Sequence, residues 1–422
     1  MHGDVIRVQL GSMTILVVNS ASAAKRVFAG STTALSSRPV FHTFHELIAG
    51  TLGPTIGTAI YGDALKRGRK ATAAELSKPA VKANLGKIDL ETRHFLHELM
   101  FYVYHESICY GRRMYLGDPL TQEIIQVEDE ILRLRSMTDN LQDYLSFFRL
   151  WPFNGYYSKA VKLRERRDAY VARLNQEIQA KMRNNSHEEC LYSKNQTCPH
   201  PLPLEELSTV LLTFLSGGLA TESNTIHWSL TLLATRPEIQ EIAYKSIREV
   251  YPNNEQLFKA GLEDVEEIPY ISALVRESLR YYTPSRLALP RLAVQTFQYA
   301  GKIIPKGTTV ILNTFACNMD PTLYGDPENF RPERWLNNPD LPIFSYGLGY
   351  RMCAGYALAN RVIYILLARI ISCFEISASL EVDADHITGC ADPAHQAMAP
   401  KPTGFYFRLR DVKVLDICSA AL

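Results

Sequence analysis

Apolar residues along this chain recur mostly with a helical period, and strand-like alternation is confined to stretches near its two ends. Val5 to Leu10, the Gly11-Ser12 turn and Thr14 to Val18 predict a β-hairpin over residues 4–19. Asn19-Ser20 then reads as the cap of a helix from Ala21 to Phe28. Residues 31–63 are rich in Ser, Thr, Gly, Pro and aromatics, which predicts a long loop with short helical pieces, of the kind that lines a pocket. Helical patterns dominate from Ala64 to about Met182. A polar connection over 184–204 is expected at the surface, before a long helix from Glu205 past Leu233 and another from about Ile268 to Tyr282. Short strands follow at 292–294, 297–299 and 308–312. With no internal repeats, the pattern is α+β and mainly α-helical.

Composition narrows this little. The chain has 422 residues, 46% hydrophobic and 21% charged, longer than one domain usually is. The expectation is nevertheless a single unit, 1–422, as in large helical enzymes built around a cofactor. Its 45 basic and 44 acidic residues leave a net charge of +1, which argues for no nucleic-acid partner. Eight scattered cysteines show no C-x-x-C and no zinc spacing, so a reducing compartment is expected rather than a disulfide framework. Met1-His-Gly-Asp-Val carries neither a leader nor a membrane anchor. The best apolar stretch, Val362 to Phe374, is interrupted by Arg369 and Ser372. As written, the chain is expected to be soluble.

The chemistry concentrates in Phe344-Ser-Tyr-Gly347-Leu-Gly349-Tyr-Arg351-Met-Cys353-Ala-Gly355, a glycine-rich loop that delivers one cysteine to an apolar helix. A lone cysteine is ordinarily a buried structural one. Six fixed positions, three of them glycines, favour an axial thiolate for a haem iron. Gly347 and Gly349 permit positive φ angles, and Gly355 lets the chain pass close to a macrocycle. Arg351 offers a fork of donors to a haem propionate. A helix starting at about Cys353 would favour a sulfur anion. A second pattern, Glu277-Ser-Leu-Arg280, places an acid and a base on one helix face among Leu274, Val275 and Leu279. Arg334, in Phe330-Arg-Pro-Glu-Arg-Trp335, is expected to close a Glu–Arg–Arg network. Third, Gly217 and Gly218 lie mid-helix in Ser216-Gly-Gly-Leu-Ala-Thr-Glu222, at a cost of about 1 kcal/mol each against Ala. Close helix packing is one reason.

These motifs, with Ile304-Pro-Lys-Gly-Thr-Thr-Val310, stand in the order and spacing of the cytochrome P-450 family, which the chain resembles over essentially its whole length. The resemblance implies a P-450 fold with a long central helix over haem and small β-sheets. It implies haem b with Cys353 as axial ligand and cofactor contacts from Phe344, Gly347, Arg351, Arg291 and Arg69. It makes Glu277, Arg280 and Arg334 a structural lock, gives Gly217 and Gly218 another reason, room for dioxygen, and makes Thr221 a proton relay for dioxygen activation. The family's usual acid before that threonine is Ala220 here. Glu222 lies about 200° around the helix from Ala220 and does not simply replace it; it is taken as a second catalytic candidate with a different route. Lys66-Arg-Gly-Arg69-Lys70 is either a solvated face or, by resemblance, a proximal surface for an acidic reductase. The region near 98–108 is shorter than the family's.

The segment from Leu35 to His45, with Thr283-Pro-Ser-Arg286-Leu-Ala-Leu-Pro-Arg291, resembles fungal phenylacetate hydroxylases and relatives acting on small phenols. The function implied is hydroxylation of a small aromatic compound using O2 and electrons from NADPH through a cytochrome P-450 reductase. Apolar walls are expected from Phe214, Leu219 and Leu287, and a carboxylate partner from Arg38, His42 or Arg286. The family's usual place is the endoplasmic reticulum membrane; a chain without an anchor leaves the cytoplasm open. Alternatives are a biosynthetic P-450 on another substrate, a haem-thiolate isomerase, dehydratase or peroxide-dependent enzyme, and a haem-binding paralogue without turnover.

Overall fold

The computed structural model describes residues 3–98, 109–112, 117–136, 140–150, 155–263, 266–379, 381–411 and 413. The N-terminal hairpin forms as its alternation predicts: β1 (Val5–Leu10) pairs antiparallel with β2 (Met13–Val18), Val5 facing Val18 and Leu10 facing Met13. Ser20 caps the helix Ala21–Ala24 by accepting the Ala23 N–H at 3.2 Å, and the chain widens into a looser turn over Lys25–Ala29.

Three short strands, β3 (Arg291–Leu292), β4 (Phe297–Tyr299) and β5 (Lys302–Ile304), precede β6 (Thr309–Leu312). β2 lies parallel to β6, giving the order β1-β2-β6-β3. The two ends of the sequence thus share one sheet. β4 and β5 form a second hairpin, of which only β4 was legible, because three residues of Lys-Ile-Ile carry no alternation. A third pair joins β7 (Phe374–Ala378) to β8 (Phe405–Leu409).

The longer helices are α1 (Asp63–Leu76), α2 (Leu85–Glu98), α3 (Pro119–Leu134), α4 (Gly155–Arg183), α5 (Leu204–Thr235), α6 (Pro237–Val250), α7 (Pro269–Tyr282) and α8 (Tyr356–Cys373). α5 is apolar on most of its circumference because it runs through the middle, against α1, α3, α7, α8 and β7. Trp228 on α5 stacks on Tyr282 with ring centroids 4.4 Å apart and donates its indole N–H to the Met398 carbonyl at 3.1 Å. One core spans Phe44 to Met398.

α8 is the one described helix long and apolar enough to cross a membrane, yet 83% of it is buried within the protein. The two residues that interrupt its apolar run find partners inside the protein: Arg369 pairs with Asp89, and Ser372 accepts from Arg248 at 2.6 Å.

The polar connection expected over 184–204 is only partly at the surface. A short helix, Leu191–Thr197, buries Cys190 to Ser193. Tyr192 stacks on Tyr110 at 6.2 Å and its hydroxyl accepts from Gln179 at 2.8 Å, contacts that surrounding polar composition conceals. The short region near 98–108 falls almost wholly outside the described residues.

The Glu277 lock forms as the motif predicts and is larger. Arg280 grips both carboxylate oxygens at 2.7 and 2.9 Å, and Arg334 Nε donates at 3.1 Å. The Trp335 indole at 2.9 Å and the Arg331 backbone N–H at 2.8 Å complete it. Glu277 and Arg280 are fully buried, where an acid is tolerated only when paired and hydrogen-bonded. The lock ties α7 to the segment leading into the cysteine loop.

Candidate active site

Between α5 and the loop preceding α8 lies a cavity of about 290 Å³. One wall is the cysteine loop, with Tyr346, Gly347, Met352 and Cys353; the other is α5, with Phe214, Gly217, Thr221 and Glu222. Backbone requirements build the loop. Gly347 and Gly349 take φ of +70° and +64°, and a Cβ on Gly349 would stand 2.4 Å from the Phe28 carbonyl oxygen. The Cys353 N–H donates to the Tyr346 carbonyl at 2.9 Å. Asn318, which no sequence pattern marked, holds the loop from behind. Its side chain accepts the Phe344 N–H at 3.0 Å and donates to Ser345 and Thr283 at 2.9 Å.

The helix after the loop starts at Tyr356, not at Cys353, because Met352 to Gly355 are still turning. The thiol therefore does not sit on the helix end. Its electrostatic support is the Gly355 N–H, whose dipole favours the sulfur anion. The sulfur is open to the cavity, and protein surrounds it otherwise. Burial pushes the Cys353 thiol up; the Gly355 N–H and Arg69 act the other way, and Glu222 adds to the rise.

Four arginines meet at one edge of this cavity: Arg38, Arg69, Arg291 and Arg351. Arg351 gives its terminal nitrogens to four backbone carbonyls, Ser36, Ile56, Gly57 and Ala59, at 2.8–3.1 Å. The fork expected for a propionate is thus occupied in stapling residues 36–59 to the cysteine loop. Arg291 donates one nitrogen to the Leu348 carbonyl, and its Nη1 is buried with no partner. Burial, Arg351 and Arg69 lower Arg291 to about 9. Arg351 falls to about 10 through burial and Arg69. Arg69 is half-buried, with its guanidinium 5.2 Å from the Tyr350 ring. An orphaned guanidinium nitrogen among like charges is the environment that a dianionic edge would relieve.

The opposite wall fits a flat ligand. Gly217 is open to the cavity, and a Cβ there would meet nothing within 4 Å. Thr221 faces the same space while its hydroxyl donates to the Gly217 carbonyl at 2.9 Å. Glu222 also lines the cavity and Ala220 does not. Thiol, bared helix and cationic edge together suit a haem: Cys353 for the iron, Arg291 and Arg69 for the propionates.

Some expected contacts fall elsewhere. The Phe344 ring lies fully buried in the small core of Phe28, Leu35 and Val310, away from the cavity, so its contribution is to the loop's seating. Phe214 lines the cavity, but Leu219 and Leu287 do not. Among the suggested carboxylate partners, Arg38 lines it. His42 pairs with Glu46 at 2.5 Å, and Arg286 lies over Phe315 while donating to the His386 carbonyl. In the basic run, Lys66 pairs with Asp63 at 2.9 Å and Arg67 grips Glu206 at 2.6 and 2.9 Å.

The cytochrome P450 family model matches residues 86–390. The chain is 42% identical to a 3-hydroxyphenylacetate 6-hydroxylase of Emericella nidulans, over 95% of this chain and 81% of that one. It is 31% identical to a phenylacetate 2-hydroxylase of the same organism, over 97% and 84%. It is 32% identical to a cytochrome P450 monooxygenase of Mycosarcoma maydis, over 95% and 80%. The cysteine loop, the Glu277 lock and the glycine-bared helix thus occur in a chain that belongs to the cytochrome P450 family.

Proposed function

We propose that this P450 monooxygenase hydroxylates a small aromatic acid of the arylacetate type, as a single catalytic unit. Cys353 is the thiolate ligand of haem b, and electrons come from NADPH through a flavoprotein reductase. The observation that carries the reading is the shared cavity of Cys353, Gly217, Thr221 and the orphaned Arg291 nitrogen. The arylacetate class follows from the substrates in the names of the two Emericella relatives. The family relationship also supports an endoplasmic-reticulum setting, where a membrane-bound reductase is met.

The haem, when bound, supplies dioxygen activation and insertion of one oxygen atom into the substrate. The protein's part is positional and electrostatic. The Gly355 N–H stabilises negative charge on Cys353 Sγ. Arg291 and Arg69 would hold the propionates by charge-assisted hydrogen bonds. Gly217 keeps the α5 side of the cavity clear, and Phe214 would present an apolar wall to the substrate ring. Thr221 turns its hydroxyl from the Gly217 carbonyl into the cavity to pass a proton, and Glu222 is the group that resupplies it.

Ala220 favours a second reading, a haem-thiolate enzyme that bypasses reductase-driven turnover. Both are tested by incubating the haem-loaded protein with phenylacetate or 3-hydroxyphenylacetate, NADPH, a reductase and ¹⁸O2. A hydroxylated product carrying the label supports the monooxygenase. Product from hydrogen peroxide alone, with none under NADPH, supports the second reading and overturns the first.

A further inference from the structure

A second, smaller cavity of about 40 Å³ adjoins the first, sharing Arg38 and Leu289 as wall. It is lined also by Phe44, His45, Arg135, Asp143 and Gln396. A site for one water needs roughly 10–15 Å³, so there is room for a few polar atoms.

Arg135, the residue after the last turn of α3, is the unspent group in it. Its guanidinium lies 4.8 Å from the Phe44 ring centroid, and no described residue accepts a hydrogen bond or forms an ion pair with it. The acid whose charge reaches it, Glu128, is buried and already takes the Tyr170 hydroxyl at 2.6 Å. Burial lowers Arg135 to about 10, still cationic at neutral pH.

The other polar groups are committed. Arg38 gives Nε to the Gly57 carbonyl at 2.8 Å and Nη1 to the carbonyls of Leu289 and Pro290. His45 accepts the Phe41 N–H at 3.0 Å through Nδ1 and contacts the Thr58 carbonyl at 3.1 Å through Nε2; burial lowers it toward the neutral form. Gln396 donates to the Leu287 carbonyl at 3.2 Å. Asp143 accepts the Thr43 N–H at 2.7 Å, and burial pushes its carboxyl up. Two guanidinium groups thus face one carboxylate, an excess of positive charge in a small cavity.

We propose that Arg135 anchors the substrate carboxylate, the ring lying across Leu289 in the larger cavity and the acid group reaching into the smaller one. The proposal rests on the arylacetate reading above and names the residue that selects for the acid. The planar fork of Arg135 suits a bidentate carboxylate. A phenol or a neutral aromatic would leave it unpaired.

The test is calorimetric titration of the haem-loaded full chain with phenylacetate and with its neutral amide, phenylacetamide. It is run on the wild type, Arg135→Gln and Arg135→Lys, each first shown to give the wild-type reduced carbon monoxide spectrum. Wild type is expected to bind the acid more tightly than the amide. Arg135→Gln is expected to lose about tenfold or more in affinity for the acid, with the amide within about twofold of wild type; Arg135→Lys keeps part of the preference. If Arg135→Gln binds the acid as wild type does, the anchor is elsewhere and the arylacetate reading stands. Equal loss of both ligands also overturns the proposal, since the residue then shapes the cavity without reading charge. If wild type binds neither ligand, or prefers the amide, the arylacetate reading falls and takes the proposal with it.

Discussion

Gly349 shows how strictly single residues are fixed around Cys353. Its φ of +64° and the Phe28 carbonyl oxygen 2.4 Å from a would-be Cβ leave no place for a side chain. Gly349→Ala is expected to destabilise the protein by about 1–3 kcal/mol and to lower haem retention. Chemical denaturation, with haem content read alongside, checks this; an unchanged midpoint and full haem content would contradict it. The motif residues were legible because each answers a requirement that admits few residue types: a thiol, a positive φ, a paired buried acid. Arg351 and Phe344 were legible in identity but not in partner. Backbone carbonyls at 36–59 have no sequence signature, and an aromatic ring reads alike whether it faces a cofactor or a core. Asn318 carried no pattern at all, since a single asparagine in a short helix looks like any other.

At the level of elements, α5 was legible in extent and in its two glycines, and only the structure shows which of its acids and alanines face the cavity. Glu222 does and Ala220 does not. Glu222→Gln is therefore expected to lower product formed per NADPH by about tenfold or more. Ala220→Asp, costing less than about 1 kcal/mol of helix propensity, places its carboxyl outside the cavity lining and is expected to leave coupling unchanged. Parallel assays of NADPH consumption and product decide it; unchanged coupling in Glu222→Gln would remove Glu222 from the proton path. The short helix Leu191–Thr197 escaped sequence reading because its stability comes from tertiary partners of Tyr192, not from local propensity.

Across the whole molecule, distant segments are closed onto one another: β2 onto β6, α7 onto the Arg334 segment, and the loop near 395 onto α3. The last closure is pH-dependent. Burial disfavours the His395 imidazolium, but the Asp129 carboxylate 3.3 Å away and the Ala397 carbonyl outweigh it, so its pKa lies above the usual 6.5. A raised folded value means that the stabilisation is present in full below 6.5 and is lost as pH rises through the folded value. Asp129 is lowered chiefly by His395, so its share is lost only in acid, as pH falls through its own depressed value. With Asp129 63% exposed and Arg133 competing for it, the effect stays below about 1 kcal/mol. The stability of His395→Gln is expected to depend less on pH above 6.5 than that of wild type, as read from unfolding midpoints; parallel profiles would contradict the pairing. The α+β class and the division of the strands between the two ends were legible from alternation, whereas β7 and β8 were not. Which strand pairs with which was not, since register is set by neighbours far apart in sequence.

The central claim is that Cys353 presents a thiolate to haem iron in the cavity beneath α5. The optical spectrum of the dithionite-reduced, haem-loaded protein under carbon monoxide tests it most directly. A strongly red-shifted Soret band in wild type, absent in Cys353→Ser at equal haem content, is the result this account predicts. A wild-type spectrum without that band, or a Cys353→Ser variant that keeps it, would contradict the account.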